Sequence, residues 1–101
     1  DALPICASKS AISSLIKSLA LEYANKKVRV NAINPGYVET PMLQRSFEKM
    51  TATEAECIID AHPLGLGKPE DISALACFLL SDRSRWISGS NIVIDGGYSA
   101  R

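Results

Sequence analysis

Apolar residues return every three or four positions across residues 7–24. Ala7, Ala11, Ile12, Leu15, Ile16, Leu19, Ala20 and Tyr23 fall on one face, which is the spacing of an α-helix. Ser10, Ser13, Ser14, Lys17 and Ser18 fill the other face, either solvated or smooth enough to pack on another helix, for instance across a subunit interface. Asn25 is placed to stop the helix in a left-handed conformation, and Lys26 and Lys27 follow where the helix dipole favours cations. The period then changes. Residues 28–34, Val-Arg-Val-Asn-Ala-Ile-Asn, form a compact, mostly apolar run that is rich in β-branched side chains and ends at Pro35-Gly36. That run predicts a buried strand closed by a turn.

Thr40 followed by Pro41 predicts a hydroxyl-capped helix with proline at its first position, running to about Met50. Thr53 and Glu56 have capping-box spacing for a second short helix through Ala61, broken at His62-Pro63. Gly65 and Gly67 make a flexible turn. Pro69 opens a third helix with Glu70 and Asp71 in its first turn and Ile72, Leu75, Ala76 and Leu79 as its stripe, ending near Ser81. After a polar turn holding Arg83, Arg85 and Trp86, residues 91–95 predict a second buried strand closed by Gly96-Gly97.

Strand, helix, strand implies a right-handed parallel crossover and an α/β fold. Both strands are apolar on successive residues, so both faces need cover, yet two strands alone leave unpaired edges on either side. The expected architecture is therefore the carboxyl-terminal part of a larger doubly wound domain. Ligands of open α/β sheets sit beyond the carboxyl ends of the strands, which makes the loop after Pro35-Gly36 the first candidate for binding. The short helices across 42–62 form an insertion over the mouth of the sheet.

Composition narrows the function classes. A chain of 101 residues with 47% hydrophobic and 22% charged residues is an ordinary globular composition, not a disordered or fibrous one. Eleven basic residues balance eleven acidic ones, so no net field draws nucleic acid or an anionic membrane. Cys6, Cys57 and Cys77 are odd in number and lack metal-ligand spacing; reduced thiols in a cytoplasmic compartment and no metal site are expected. No apolar run reaches membrane-spanning length and no cleavable signal is visible. Residue 1 is Asp rather than Met, so a fragment is expected.

Four stretches carry a resemblance: Ala-Ser-Lys at 7–9, Arg-Val-Asn-Ala-Ile-Asn-Pro-Gly-Tyr-Val-Glu-Thr-Pro-Met at 29–42, Pro-Leu-Gly-Leu-Gly-Lys-Pro-Glu-Asp-Ile at 63–72 and Ile-Ser-Gly-Ser-Asn-Ile-Val-Ile-Asp-Gly-Gly at 87–97. In this order and spacing the chain resembles the carboxyl-terminal portion of a short-chain dehydrogenase/reductase. The resemblance implies that residues 1–101 belong to a single Rossmann-type domain, a doubly wound parallel sheet whose dinucleotide-phosphate-binding half precedes them. It implies hydride transfer between NAD or NADP and a small carbonyl or secondary alcohol substrate. It also implies a homodimer or homotetramer, with Asp95-Gly96-Gly97 at a subunit contact.

By the same resemblance, Lys9 matches the lysine of the catalytic Tyr-x-x-x-Lys pair, which hydrogen-bonds the nicotinamide ribose and lowers the tyrosine pKa. A separation of four puts both side chains on one helical face, where a cation stabilises the phenolate. Ile5 occupies the tyrosine position and has no exchangeable proton; Tyr23, Tyr37 and Tyr98 lie elsewhere. Residues 1–5 depart from the family pattern throughout, so a true catalytic loss and a truncated or misread end both stand open. Val38 and the Thr40 hydroxyl, with Pro35 and Gly36, are implied to hold the nicotinamide carboxamide, Thr40 doubling as a helix cap. Asn31 and Asn34 are assigned structural hydrogen bonds. Met42, Leu43 and Phe47, with Met50, suggest a substrate lid or plain core, and His62 is read as a loop residue without a role. Two functions follow: an NAD(P)-dependent oxidoreductase, or a catalytically silent relative that binds nucleotide or partners. The choice between NAD and NADP, which rests on a residue in an earlier strand, stays open, and the isolated chain is expected neither to bind dinucleotide tightly nor to turn over.

Overall fold

The computed structural model describes residues 2–100, without the side chains at 2, 3, 5 and 6. Its elements are α1 (Ala2–Tyr23), β1 (Ala32–Pro35), α2 (Pro41–Glu48), α3 (Ala52–Asp60), α4 (Pro69–Leu80) and β2 (Asn91–Ile94), with single 3-10 turns at Ala24–Lys26 and Asp82–Ser84. The α/β class and the order of elements are those expected. β1 and β2 are hydrogen-bonded neighbours. The Ala32 amide donates to the Ser90 carbonyl and the Gly36 amide to that of Ile94, so partner numbers rise together and the pair is parallel.

The chain divides into two compact units, Asp1–Ile33 with Phe78–Ile92, and Asn34–Cys77 with Val93–Arg101. In the first, Ala20 and Leu79 are the buried apolar residues among those described, and Ser84 is buried with them. Arg29 organises this unit. Its guanidinium donates to the carbonyls of Leu79 at 2.7 Å, Ser81 at 3.1 Å and Ile87 at 3.2 Å, closing the carboxyl end of α4 where carbonyls otherwise lack partners. Asn31 supports it, donating to the Ile87 carbonyl and accepting from the Ser90 amide, the structural role expected of it. In the second unit, His62, just after α3, is buried beside the segment that follows β1.

Several boundaries and burials differ from expectation. The first helix begins at Ala2, because Pro4 sits in the first turn, where a missing N–H costs no intrahelical bond. It ends at Tyr23, and the left-handed stop falls on Lys27, not Asn25: a 3-10 turn intervenes and Lys27 takes the left-handed conformation at φ 60°. Within α1, Ile12 and Leu15 are more than half exposed at 53% and 55%, so burial concentrates around Ala20 instead of the whole apolar stripe. α3 is capped by Thr51, whose hydroxyl accepts from the Glu54 amide, and not by Thr53; both threonines have an acidic residue three positions on, and the earlier pair forms.

The strands are shorter than expected and neither is buried. β1 is half-buried up to Asn34 and β2 alternates exposed and half-buried residues, because each has one neighbouring strand and few side chains above it. Residues 28–31 lead into β1 without being part of a helix or strand, with the Val30 carbonyl accepting from Gly89 and the Val30 amide donating to the Ser88 hydroxyl.

Candidate functional site

The segment after β1 is fixed at every step. The Gly36 amide donates to the Ile94 carbonyl. A Cβ at residue 36 would lie 2.7 Å from the Asp95 Cβ, 2.9 Å from the Asp95 Cα and 3.2 Å from His62 Nε2, so the close approach of a second backbone dictates glycine. The Tyr37 amide then donates to His62 Nε2 at 3.3 Å. Val38 forms a parallel bridge with Gly67, in which the Tyr37 carbonyl accepts from the Gly67 amide and the Glu39 amide donates to the Gly67 carbonyl. In a parallel bridge the flanking residues make both bonds, so the amide and carbonyl of Val38 itself are turned away from Gly67.

Thr40 ends this segment and caps α2. Its extended backbone (φ −131°, ψ 161°) lets Oγ1 accept from the Leu43 amide at 3.2 Å, ahead of Pro41 at the first helical position. A hydroxyl that accepts a capping bond still has its proton to donate.

Six of the residues singled out in the sequence, Pro35, Gly36, Val38, Thr40, Met42 and Leu43, line one open cleft of about 470 Å³. Phe47, a turn further along α2, is half-buried and outside that lining. Lys9 lies on α1 with an exposed side chain, and the side chain of Ile5, at the tyrosine position, lies outside the described residues.

His62 is the residue that sequence reasoning passed over. It is 3% exposed, with Nδ1 2.8 Å from the Ile58 carbonyl and Nε2 on the Tyr37 amide. Its ring stacks on Tyr98 with centroids 4.7 Å apart and meets Tyr37 edge-on at 5.4 Å. The one sequence signal was indirect: a glycine turn invites a close neighbour but does not name it. Asp95 closes the end of β2, its carboxylate accepting from the amides of Gly97 and Ser99 at 3.0 Å each. Hydrogen bonding from the Ser99 side chain, then from the Ser99 and Gly97 amides, holds its carboxyl below the usual carboxylate value despite opposing desolvation.

Among the described residues, no group of three or more His, Cys, Asp or Glu could hold a metal ion, and no helix is long and apolar enough to cross a membrane. Cys57 and Cys77 are free and exposed.

A family model described as enoyl-(acyl carrier protein) reductase matches residues 2–99. A cyclohexanol dehydrogenase from Acinetobacter sp. strain SE19 is 42% identical over 96 residues, which are 94% of this chain and 36% of that protein. Among solved structures, a 4-hydroxyisoleucine dehydrogenase complexed with NADH is similar with a TM-score of 0.84 and 38% identity, covering 94% of this chain and 39% of that one. An Agrobacterium tumefaciens protein with bound NADP gives the same TM-score of 0.84 and 38% identity over 94% of this chain and 38% of its own. The chain thus spans little more than a third of the length of the relatives it matches, 36% in the first case. With the four motifs in order, an α/β fold of matching architecture and a family model covering residues 2–99, the chain belongs to the short-chain dehydrogenase/reductase family.

Proposed function

We propose that the chain is the carboxyl-terminal portion of a single Rossmann-type domain of an NAD(P)-dependent oxidoreductase, and that residues 35–40 hold the nicotinamide end of the dinucleotide. The supporting observation is the Val38 bridge. A carboxamide presents one carbonyl acceptor and one NH₂ donor, and a single residue whose amide and carbonyl are both turned from their neighbouring strand offers the complementary pair. The Thr40 hydroxyl, with its proton still to donate, lines the same cleft. The residues present therefore fit the group. When bound, the dinucleotide supplies or accepts the hydride. Lys9 would favour the phenolate of a tyrosine at position 5, where this chain has Ile5. Met42 and Leu43, with Phe47 behind them, shape the pocket for a small carbonyl or secondary alcohol. The exposed Leu21, Leu64, Leu80 and Trp86, at 81%, 86%, 85% and 89%, leave apolar area for the rest of the domain and for neighbouring copies in a cytoplasmic homodimer or homotetramer.

Ile5 favours a second reading, a catalytically silent relative that binds nucleotide or partners only, because an isoleucine in the tyrosine position exchanges no proton. Codon 5 in the full-length reading frame separates the two: tyrosine there supports the enzyme, isoleucine the silent relative. Where isoleucine stands, the full-length protein binds NADH or NADPH but turns over short-chain alcohols and ketones at background, and Ile5→Tyr raises the rate about 100-fold or more, the usual contribution of a general acid/base. Dinucleotide-dependent turnover that ignores Ile5→Tyr would contradict the assignment of Lys9 and position 5. The 101-residue chain alone neither binds NADH tightly nor turns over, since the phosphate-binding turn lies in the other half of the domain.

A further inference from the structure

We infer that His62 is a positioning residue for the nicotinamide loop: a neutral imidazole whose Nε2 lone pair holds the Tyr37 amide and thereby sets where Val38 and Thr40 stand. The inference rests on the reading of residues 35–40 as the dinucleotide loop. Both ring nitrogens have obligatory partners. The Ile58 carbonyl, 2.8 Å from Nδ1, can only accept, so Nδ1 carries the proton. The Tyr37 amide, 3.3 Å from Nε2, can only donate, so Nε2 carries the lone pair.

The ring has no freedom to trade these roles. It is 3% exposed, stacked on Tyr98 at an interplanar angle of 24° and met edge-on by Tyr37 at 73°, and even a Cβ at residue 36 would stand only 3.2 Å from Nε2. The Ile58 bond anchors the ring to the last turns of α3, so the Tyr37 bond ties the loop to a helix that carries none of the lining residues of the cleft. Tyr37 immediately precedes Val38, whose amide and carbonyl are the groups proposed to meet the carboxamide. A shift of a fraction of an ångström at Tyr37 therefore reaches those groups directly, and misplacement on the 1 Å scale costs about 100-fold in comparable systems.

The test uses the full-length protein with His62→Gln and His62→Asn. Both lose the ring and its stacking. Gln can place an oxygen at about the Nε2 distance, whereas Asn reaches only the Nδ1 distance. The readouts are hydrogen exchange at the Tyr37 amide and the Kd for NADH and NADPH. The expected result is faster Tyr37 exchange and about tenfold weaker binding for Asn, with Gln within about twofold of wild type on both. Nitrogen-15 imidazole shifts of the wild-type protein should show Nδ1 protonated and Nε2 bare at neutral pH, a signature that needs no variant. Protonated Nε2, unchanged Tyr37 exchange in His62→Asn, or equal behaviour of Gln and Asn each overturns the role of His62. Faster exchange with unchanged Kd overturns instead the assignment of the loop to the dinucleotide, and a wild-type protein that binds neither NADH nor NADPH overturns both.

Discussion

Arg29 and His62 each fasten one of the two compact units, and they do so in opposite ways. The Arg29 guanidinium donates to three carbonyls, and the buried Ser84 hydroxyl shares its one proton between two of the same ones, those of Leu79 and Ser81. The end of α4 is thus held more than once, by charge-assisted bonds and by a neutral one. His62 offers one neutral acceptor to one amide of one loop. Redundant fastening suits a scaffold. A single directional bond beside a cleft suits a segment whose exact placement matters to a ligand.

That contrast orders the consequences of mutation. Arg29→Met removes all three charge-assisted bonds and leaves the carbonyls of Leu79, Ser81 and Ile87 with the neutral donors of Ser84 and Asn31, so urea unfolding of the full-length protein should lose about 3 kcal/mol. Arg29→Lys should recover little, since an ammonium lacks the planar fork. Dinucleotide Kd, measured where the variant is folded, should stay within about twofold. Gly36→Ala should invert the pattern: its new Cβ meets backbone at 2.9 Å, costing about 2 kcal/mol, and NADH binding should weaken more than tenfold because the loop must move. Similar effects of the two substitutions on Kd would erase the distinction between scaffold and site.

Thr40→Val should cost about 1 kcal/mol through the lost cap and also weaken dinucleotide binding, while Thr40→Ser restores both. A Thr40→Val protein that is less stable but binds normally would reduce Thr40 to a helix cap. The smallest effect belongs to Asp95. Its carboxyl is held low by Ser99 and Gly97, so its stabilisation is present above the unfolded value, about 3.9, and is lost as pH falls through the lower folded value. Asp95→Asn should lower stability slightly near neutrality, where the carboxylate's contribution is present, and converge with wild type at the acidic end, as read by thermal unfolding across pH.

Much of the fold was legible because punctuation residues carry local physics. Thr40-Pro41 opened α2, Pro69 opened α4, and Gly96 and Gly97, both at φ above zero, closed β2. Thr53 and Thr51 offered the same local chemistry for the cap and sequence chose the wrong one; at the left-handed stop local preference pointed to Asn25, but the intervening 3-10 turn put Lys27 there. Strand burial was misjudged because apolar runs report what a strand needs in its complete sheet, and two strands cannot supply it. The cleft residues were legible through motif resemblance. His62 was not, since its partners Ile58, Tyr37 and Tyr98 are spread over the chain and identify it only once folded.

The central claim is that the backbone of Val38 and the hydroxyl of Thr40 meet the nicotinamide carboxamide. Amide shift perturbation in the full-length protein, titrated with NADH and with NADPH, tests it directly. The account predicts that the largest changes from the nicotinamide moiety fall on the amides of Val38, Glu39 and Thr40 and vanish when ADP-ribose replaces the dinucleotide. Perturbations confined to other segments, with 36–40 silent at saturation, would contradict it.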